Sequence, residues 1–246
     1  MVESKTDPNI EALALASKAS YNDTEPENYT RQHNLSSPEI STYKHNKNNH
    51  YIISHRGTDL ADKNTAKKDI RSDLNIAIGN KESDVLHKRR TKKTEDIIKH
   101  IKDNDPSHDI FLTGHSLGGS TTAHAMSSSK IVRDNVKEHH TFNSGSSLLQ
   151  NKPAVSADVK KELMSKSTHH SIRGDEISRH VSNNLIGKTK VYSSTKKPSI
   201  AQHVLKLATP LLKKTFAGRV VAYGAKKALN TLQSHSLDNF ITKTPA

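Results

Sequence analysis

Near the middle of the chain a serine stands between glycines placed two residues before it and two after it, in Thr113-Gly114-His115-Ser116-Leu117-Gly118-Gly119. A serine hydroxyl is a poor nucleophile alone. It attacks a carbonyl when an imidazole takes its proton, a carboxylate orients that imidazole, and N–H donors receive the charge that develops on the carbonyl oxygen. Glycines at these two positions relieve crowding where a strand turns sharply into a helix. Gly119 leaves further room for the helix to lie close to the strand. Such a turn aims the free N–H groups of the helix start at a developing oxyanion. The same spacing also occurs in ordinary glycine-rich turns, so its meaning depends on the elements around it.

Those elements fit. Asp109 to Thr113 reads as a strand and Ser116 to Val136 as the helix that follows. Upstream, Asn9 to Ser20 reads as a short helix begun by Asp7-Pro8-Asn9. Residues 22–49 are rich in Asn, Pro, Ser, Glu and Lys and read as loop. His50 to His55 reads as a strand entering a turn at Arg56-Gly57-Thr58. Leu74 to Gly79 is a short apolar patch of either type. Asp84 to Asn104 reads as a basic helix with Val85, Leu86, Ile97, Ile98 and Ile101 on its buried side. Downstream, His140 to Asn143, His170 to Arg173 and Lys188 to Tyr192 are strand candidates, with a helix around Ala157 to Ser165. From Ser199 to Leu232 the chain is more apolar and reads as two or three short helices.

This alternation around a G-x-S-x-G turn predicts an α/β fold of the α/β-hydrolase kind, a mostly parallel central sheet flanked by helices. One catalytic domain over 50–246 is expected, including the basic apolar segment 199–232. An N-terminal helix and polar loop over 1–49 would pack on it or precede it.

Four segments carry a resemblance to the class 3 lipases. Ile53-Ser54-His55-Arg56-Gly57-Thr58 is similar to that family's Phe-Arg-Gly-Thr/Ser strand end, with His55 in place of the aromatic. Arg71-Ser72-Asp73-Leu74 resembles the acidic-Leu pair that follows it, and the Ser116 turn is the third segment. Thr141-Phe142-Asn143-Ser144-Gly145 resembles the family's Thr-Phe-Gly-Ser-Pro strand end without its proline. The resemblance runs from about Tyr51 to Phe240. It implies Ser116 as nucleophile and Thr58 as an oxyanion donor, beside the backbone N–H of Leu117, the residue after the nucleophile.

In this fold the acid follows the serine and the histidine comes last. Asp175 lies just past the His170 strand and is the expected acid. Glu176 is its neighbouring competitor, and Asp158 sits in a helix. Of the histidines beyond Asp175, His235 resembles the family's late histidine before an aromatic and is the expected base. His180 lies too close behind the acid, and His203 begins an apolar helical stretch. His115 points away from the hydroxyl and is expected to pack or hydrogen-bond beside the turn. The pairs His139-His140 and His169-His170 alternate across a strand, which argues against a shared metal and suggests solvated strand ends. Acyl transfer by these groups needs no metal or cofactor.

Bulk composition frames the partners. Only 32% of the 246 residues are hydrophobic, tryptophan and cysteine are absent, and mean hydropathy is −0.76, so a thin core is expected. The absence of cysteine excludes disulfides and thiolate zinc sites. Met1 to Pro8 lacks the apolar run of a secretory leader, and no stretch reaches the ~18 apolar residues of a membrane span. A soluble or peripheral protein is expected, cytoplasmic or virion-associated. The net charge of +13 favours anionic partners, and residues 199–232 interleave Leu and Val with Lys and Arg as membrane-surface helices do. Residues 59–72, where the family carries its lid, hold few apolar side chains. The expected substrate is a lipid ester, triacylglycerol or phospholipid, with phospholipid favoured by the charge. The rival reading is a hydrolase-like module that holds a basic surface on anionic membrane or nucleic acid. The low aromatic content disfavours nucleic-acid stacking.

Overall fold

The computed structural model describes residues 7–57, 81–145, 155–173, 175, 185–193 and 236–241. Within them lie a seven-stranded sheet, in order β1 to β7, and helices on both its faces. The strands are β1 (Tyr29–Arg31), β2 (Ile40–His45), β3 (His50–His55), β4 (Asp109–His115), β5 (Val136–Phe142), β6 (Ser167–Ile172) and β7 (Lys188–Tyr192). The first two pairings are antiparallel and the remaining four parallel. Helix α1 spans Ile10–Asn22, α2 Lys81–Asn104, α3 Leu117–Ser128, α4 Lys130–Asn135 and α5 Ala157–Lys166.

The region expected to be loop, 22–49, contributes β1 and β2 to the sheet. Their apolar side chains are few, but Ser41 and Thr42 are buried with Ile40 and Tyr43, so polar residues fill inward positions. The helix expected over Ser116 to Val136 is two helices. Ser129 between them is extended, and its hydroxyl accepts from the Val132 N–H at 3.2 Å, capping α4. Arg133 donates to the carbonyls of Met126 and Ser127, both at 3.0 Å, and so satisfies the end of α3. Val136 already belongs to β5. The patch 74–79, the lid region 59–72 and the segment 199–232 lie outside the described residues.

Alternation along β3 and β4 sorts the core into two layers. Tyr51, Ile53, Ile110 and Leu112 meet Ile98 and Ile101 of α2, Met126 of α3, Val132 of α4 and Leu163 of α5. Ile52, Phe111, Phe142 and Ile172 face the other way, toward Leu13, Ala14 and Ala16 of α1 and toward Leu237 and Phe240 near the end of the chain. Asn9 caps α1 by accepting from the Ala12 N–H at 2.8 Å. The small buried face of α1 lets it lie against β3 and β4, where the Ser17 and Thr113 hydroxyls meet at 3.0 Å.

Helix α2 buries Ile98 and Ile101 as expected, with Ile97 packed partly buried beside them, but its inward stripe also carries polar residues. Val85 is 70% exposed, whereas His87, Arg90, Thr91, Thr94, Ile98 and Ile101 form the buried stripe. This is a helical repeat written partly in polar residues.

The histidine pairs are buried and are not solvated strand ends. His139 lies between the Ser167 and Thr122 hydroxyls, each at 3.0 Å, and His169 between Thr141 at 2.9 Å and the Ile186 carbonyl at 3.2 Å. On the opposite face His140 and His170 stack with ring nitrogens 3.0 Å apart. His170 reaches the Tyr192 hydroxyl at 2.9 Å and His140 the Glu138 carboxylate at 3.0 Å. His55 bridges Thr94 and Thr121 at 2.8 Å each. Burial among neutral partners pushes the His169 pKa down to about 4 and His170 to about 3, and holds His55 and His139 well below the usual range. Among the described residues no helix is long and apolar enough to cross a membrane.

These histidines are neutral when folded and free to protonate when unfolded. Below the unfolded pKa of about 6.5 the unfolded chain therefore binds more protons, and stability falls with pH. Each such residue costs roughly 1.4 kcal/mol per pH unit across the window from about 6.5 down to about 4. Melting temperature measured from pH 7 to 4.5 should fall steeply, above the range where most carboxylates protonate. A flat profile would contradict the buried neutral assignment.

Candidate active site

Strand β4 ends at His115 and α3 begins at Leu117, so Ser116 makes the whole connection. Its backbone has φ 56 and ψ −123, a sparsely populated conformation for a residue with a side chain. Hydrogen bonds fix it there. The Ser116 N–H donates to the Phe142 carbonyl at 3.0 Å, and its carbonyl accepts from Ser120 at 3.2 Å and from Gly145 at 3.1 Å. The side chain stays partly exposed, while Leu117 is buried and occupies the helix start, where N–H groups lack partners in the preceding turn.

The glycines are required by close approach. A Cβ on Gly114 would lie 2.5 Å from the Gly118 carbonyl group. One on Gly118 would overlap the His55 carbonyl oxygen at the end of β3, and one on Gly119 would meet Ser144 at 2.9 Å. The start of α3 thus rests directly on the ends of β3 and β4.

Gly57, just past β3, completes this crowding. A Cβ there would stand 2.6 Å from the His115 carbonyl oxygen and 3.2 Å from the Ser116 Cβ. The residue after Gly57 is Thr58, the expected oxyanion donor, which lies outside the described residues. The strand end before it is held from two sides. The Tyr21 hydroxyl of α1 accepts from the Gly57 N–H at 3.0 Å and meets His115 Nδ1 at 2.9 Å. From the other face the buried Arg90 donates to the Arg56 carbonyl at 2.7 Å. His115 therefore hydrogen-bonds beside the turn, as expected.

Asp175 is fully buried three residues past β6, and its N–H donates to the Ile172 carbonyl at 3.0 Å. The competing Asp158 is exposed in the first turn of α5. Glu176, His180, His203 and His235 lie outside the described residues. The segment that follows His235 is described. Residues Leu237–Asn239 form a 3₁₀ turn, Phe240 packs on Phe142 with ring centroids 5.0 Å apart, and Asp238 pairs with Lys18 of α1 at 2.8 Å. Tyr21, Arg90 and Asn143, whose carboxamide reaches β6, were not singled out from the sequence. Their roles arise from contacts between elements distant along the chain, and only the Asn143 position, at the end of a strand motif, carried any local signal.

Chemically, the arrangement presents a partly exposed hydroxyl on a fixed turn, at a helix N-terminus, with a second strand end packed against it and a buried carboxylate just past β6. The sequence model for the class 3 lipases matches residues 58–180, half of the chain. The crystal structure of Lip2 lipase from Yarrowia lipolytica is similar over 95% of this chain and 92% of that one, at 13% identity and a TM-score of 0.51. A mutant form of MDLA from Penicillium cyclopium aligns over 78% of this chain and 79% of its own, at 12% identity and a TM-score of 0.38. No curated protein matches the sequence. With the Ser116 turn, the parallel sheet and half of its length matched, the chain belongs to the class 3 lipase family and is a lipase-like carboxylic ester hydrolase of the α/β-hydrolase fold.

Proposed function

We propose that this enzyme hydrolyses lipid carboxylic esters by acyl transfer through Ser116, with His235 as general base and Asp175 as the acid that orients it. The observation that carries the reading is the Ser116 backbone, held at φ 56 with Gly57 packed against it. Such a turn exposes the oxygen at a helix start, where N–H groups lack partners in the preceding turn.

In the proposed cycle the His235 imidazole takes the Ser116 proton as Oγ attacks the ester carbonyl carbon. The oxyanion is received by the N–H of Leu117 and by Thr58, through its N–H or hydroxyl. Asp175 stabilises the imidazolium. The C–O bond to the alcohol breaks, and the imidazolium gives its proton to the leaving oxygen. Water then attacks the acyl-enzyme with the same base, releasing the fatty acid and restoring Ser116. The net charge of +13 supports anionic phospholipid as the favoured substrate surface.

Tyr21 acts in this scheme as a strut. Its hydroxyl joins the Gly57 N–H to the His115 ring, and so sets the spacing between the two oxyanion segments.

Purified protein should release fatty acid from phosphatidylglycerol vesicles faster than from phosphatidylcholine vesicles or a triglyceride emulsion. Ser116→Ala should lower hydrolysis roughly 10⁴-fold or more and abolish labelling by a fluorophosphonate probe. Unchanged activity in Ser116→Ala would overturn the assignment. Tyr21→Phe removes both strut bonds and should lower kcat about three- to tenfold with KM little changed. An unaltered kcat would show that Gly57 is held without it.

A further inference from the structure

The segment after β5, which is hydrogen-bonded to Ser116, parts from β6, the strand that leads to Asp175, at Asn143. Strands β5 and β6 are parallel, with Phe142 opposite His170. Their last backbone bond runs from the Asn143 N–H to the His170 carbonyl at 2.8 Å. The next rung of a parallel ladder would take the Ile172 N–H to the Asn143 carbonyl. At Asn143, however, φ is 43, and the backbone leaves the sheet in the left-handed region. The side chain supplies the missing rung. Its Oδ1 accepts from the Ile172 N–H at 2.9 Å.

Both polar groups of Ile172 are thereby committed. Its N–H goes to the Asn143 carboxamide, and its carbonyl accepts from the Asp175 N–H at 3.0 Å. Asn143 and Asp175 are each fully buried. On the other side, the residues flanking Asn143 are tied to Ser116. Phe142 accepts from the Ser116 N–H at 3.0 Å, and the Gly145 N–H donates to the Ser116 carbonyl at 3.1 Å. Asn143 thus sits in a short segment fastened to the nucleophile by its main chain and to the acid's strand end by its side chain.

We propose that Asn143 is a positioning residue for Asp175, one that fixes the carboxylate relative to Ser116 through Ile172; the proposal rests on the reading of Asp175 as the acid. Its residue type follows from two demands met together. The φ of 43 excludes most side chains, and a glycine would meet that demand while offering no acceptor. Asparagine tolerates the conformation and extends the ladder.

The test uses the full chain and a soluble p-nitrophenyl ester. Asn143→Gly keeps the backbone conformation and deletes the rung. It should lower kcat about tenfold with KM unchanged, and move the acid limb of the kcat profile down by about half a pH unit as the imidazolium loses a well-placed carboxylate. Asn143→Asp retains both the φ tolerance and the acceptor and should keep kcat within about threefold of the parent. A loss in Asn143→Asp equal to that in Asn143→Gly would overturn the role of the acceptor. In an Asp175→Asn background, Asn143→Gly should have no further effect on kcat. A merely structural asparagine would lower the melting temperature and leave kcat and its pH profile in place, and that result would overturn the proposal. If Asp175→Asn is itself fully active, the acid assignment falls and the proposal with it. If Asp175→Asn is crippled while Asn143→Gly matches the parent in kcat and profile, only the positioning role falls.

Discussion

Three stretches of backbone meet in contact at Ser116: the end of β3, the end of β4 and the first turn of α3. There is no room for a Cβ at Gly57, Gly114 or Gly118, and Ser116 carries its side chain in their midst. The serine accepts an unfavourable φ because the surrounding hydrogen bonds over-determine its backbone. These bonds hold the turn with the serine partly exposed. Gly57 joins the same crowding, because the strand end that carries it is clamped. Tyr21 and Arg90 do this from opposite faces.

The sheet beneath this junction is held by an unusual share of polar contacts. With 32% hydrophobic residues the chain has little aliphatic material to spend on a core. Histidine, serine and threonine take up inward positions instead, several of them in groups that satisfy each other. His139 with Thr122 and Ser167, and His55 with Thr94 and Thr121, hold α2 and α3 to the strands by hydrogen bonds in place of apolar packing alone. A neutral imidazole suits this role because it both donates and accepts. The same choice makes the sheet sensitive to acid.

How much was legible in the sequence follows from these two features. The Ser116 turn was legible because glycine spacing is a direct imprint of backbone crowding. Strands β3 and β7 were legible to the residue, since each is a short run bounded by turn signals. The inward face of α2 was legible at Ile98 and Ile101 but not at His87, Arg90, Thr91 and Thr94, buried positions that hydrophobic periodicity does not register, and Val85 is exposed. Strands β1 and β2 were missed for the same reason, with Ser41 and Thr42 buried in a stretch that reads as polar loop. Tyr21 carried no sequence signal, and Asn143 only its place at the end of a strand motif. Each owes its role to partners far along the chain, Gly57 and His115 for the first and Ile172 for the second.

The central claim is that Ser116 carries the acyl group during turnover. It is tested most directly by quenching the enzyme in acid while it hydrolyses p-nitrophenyl butyrate, digesting it, and locating the adduct by mass spectrometry. The account predicts a butyryl group on the peptide containing Ser116 and on that residue alone. Hydrolysis that proceeds with no acyl group on Ser116, or with one on another side chain, would contradict it.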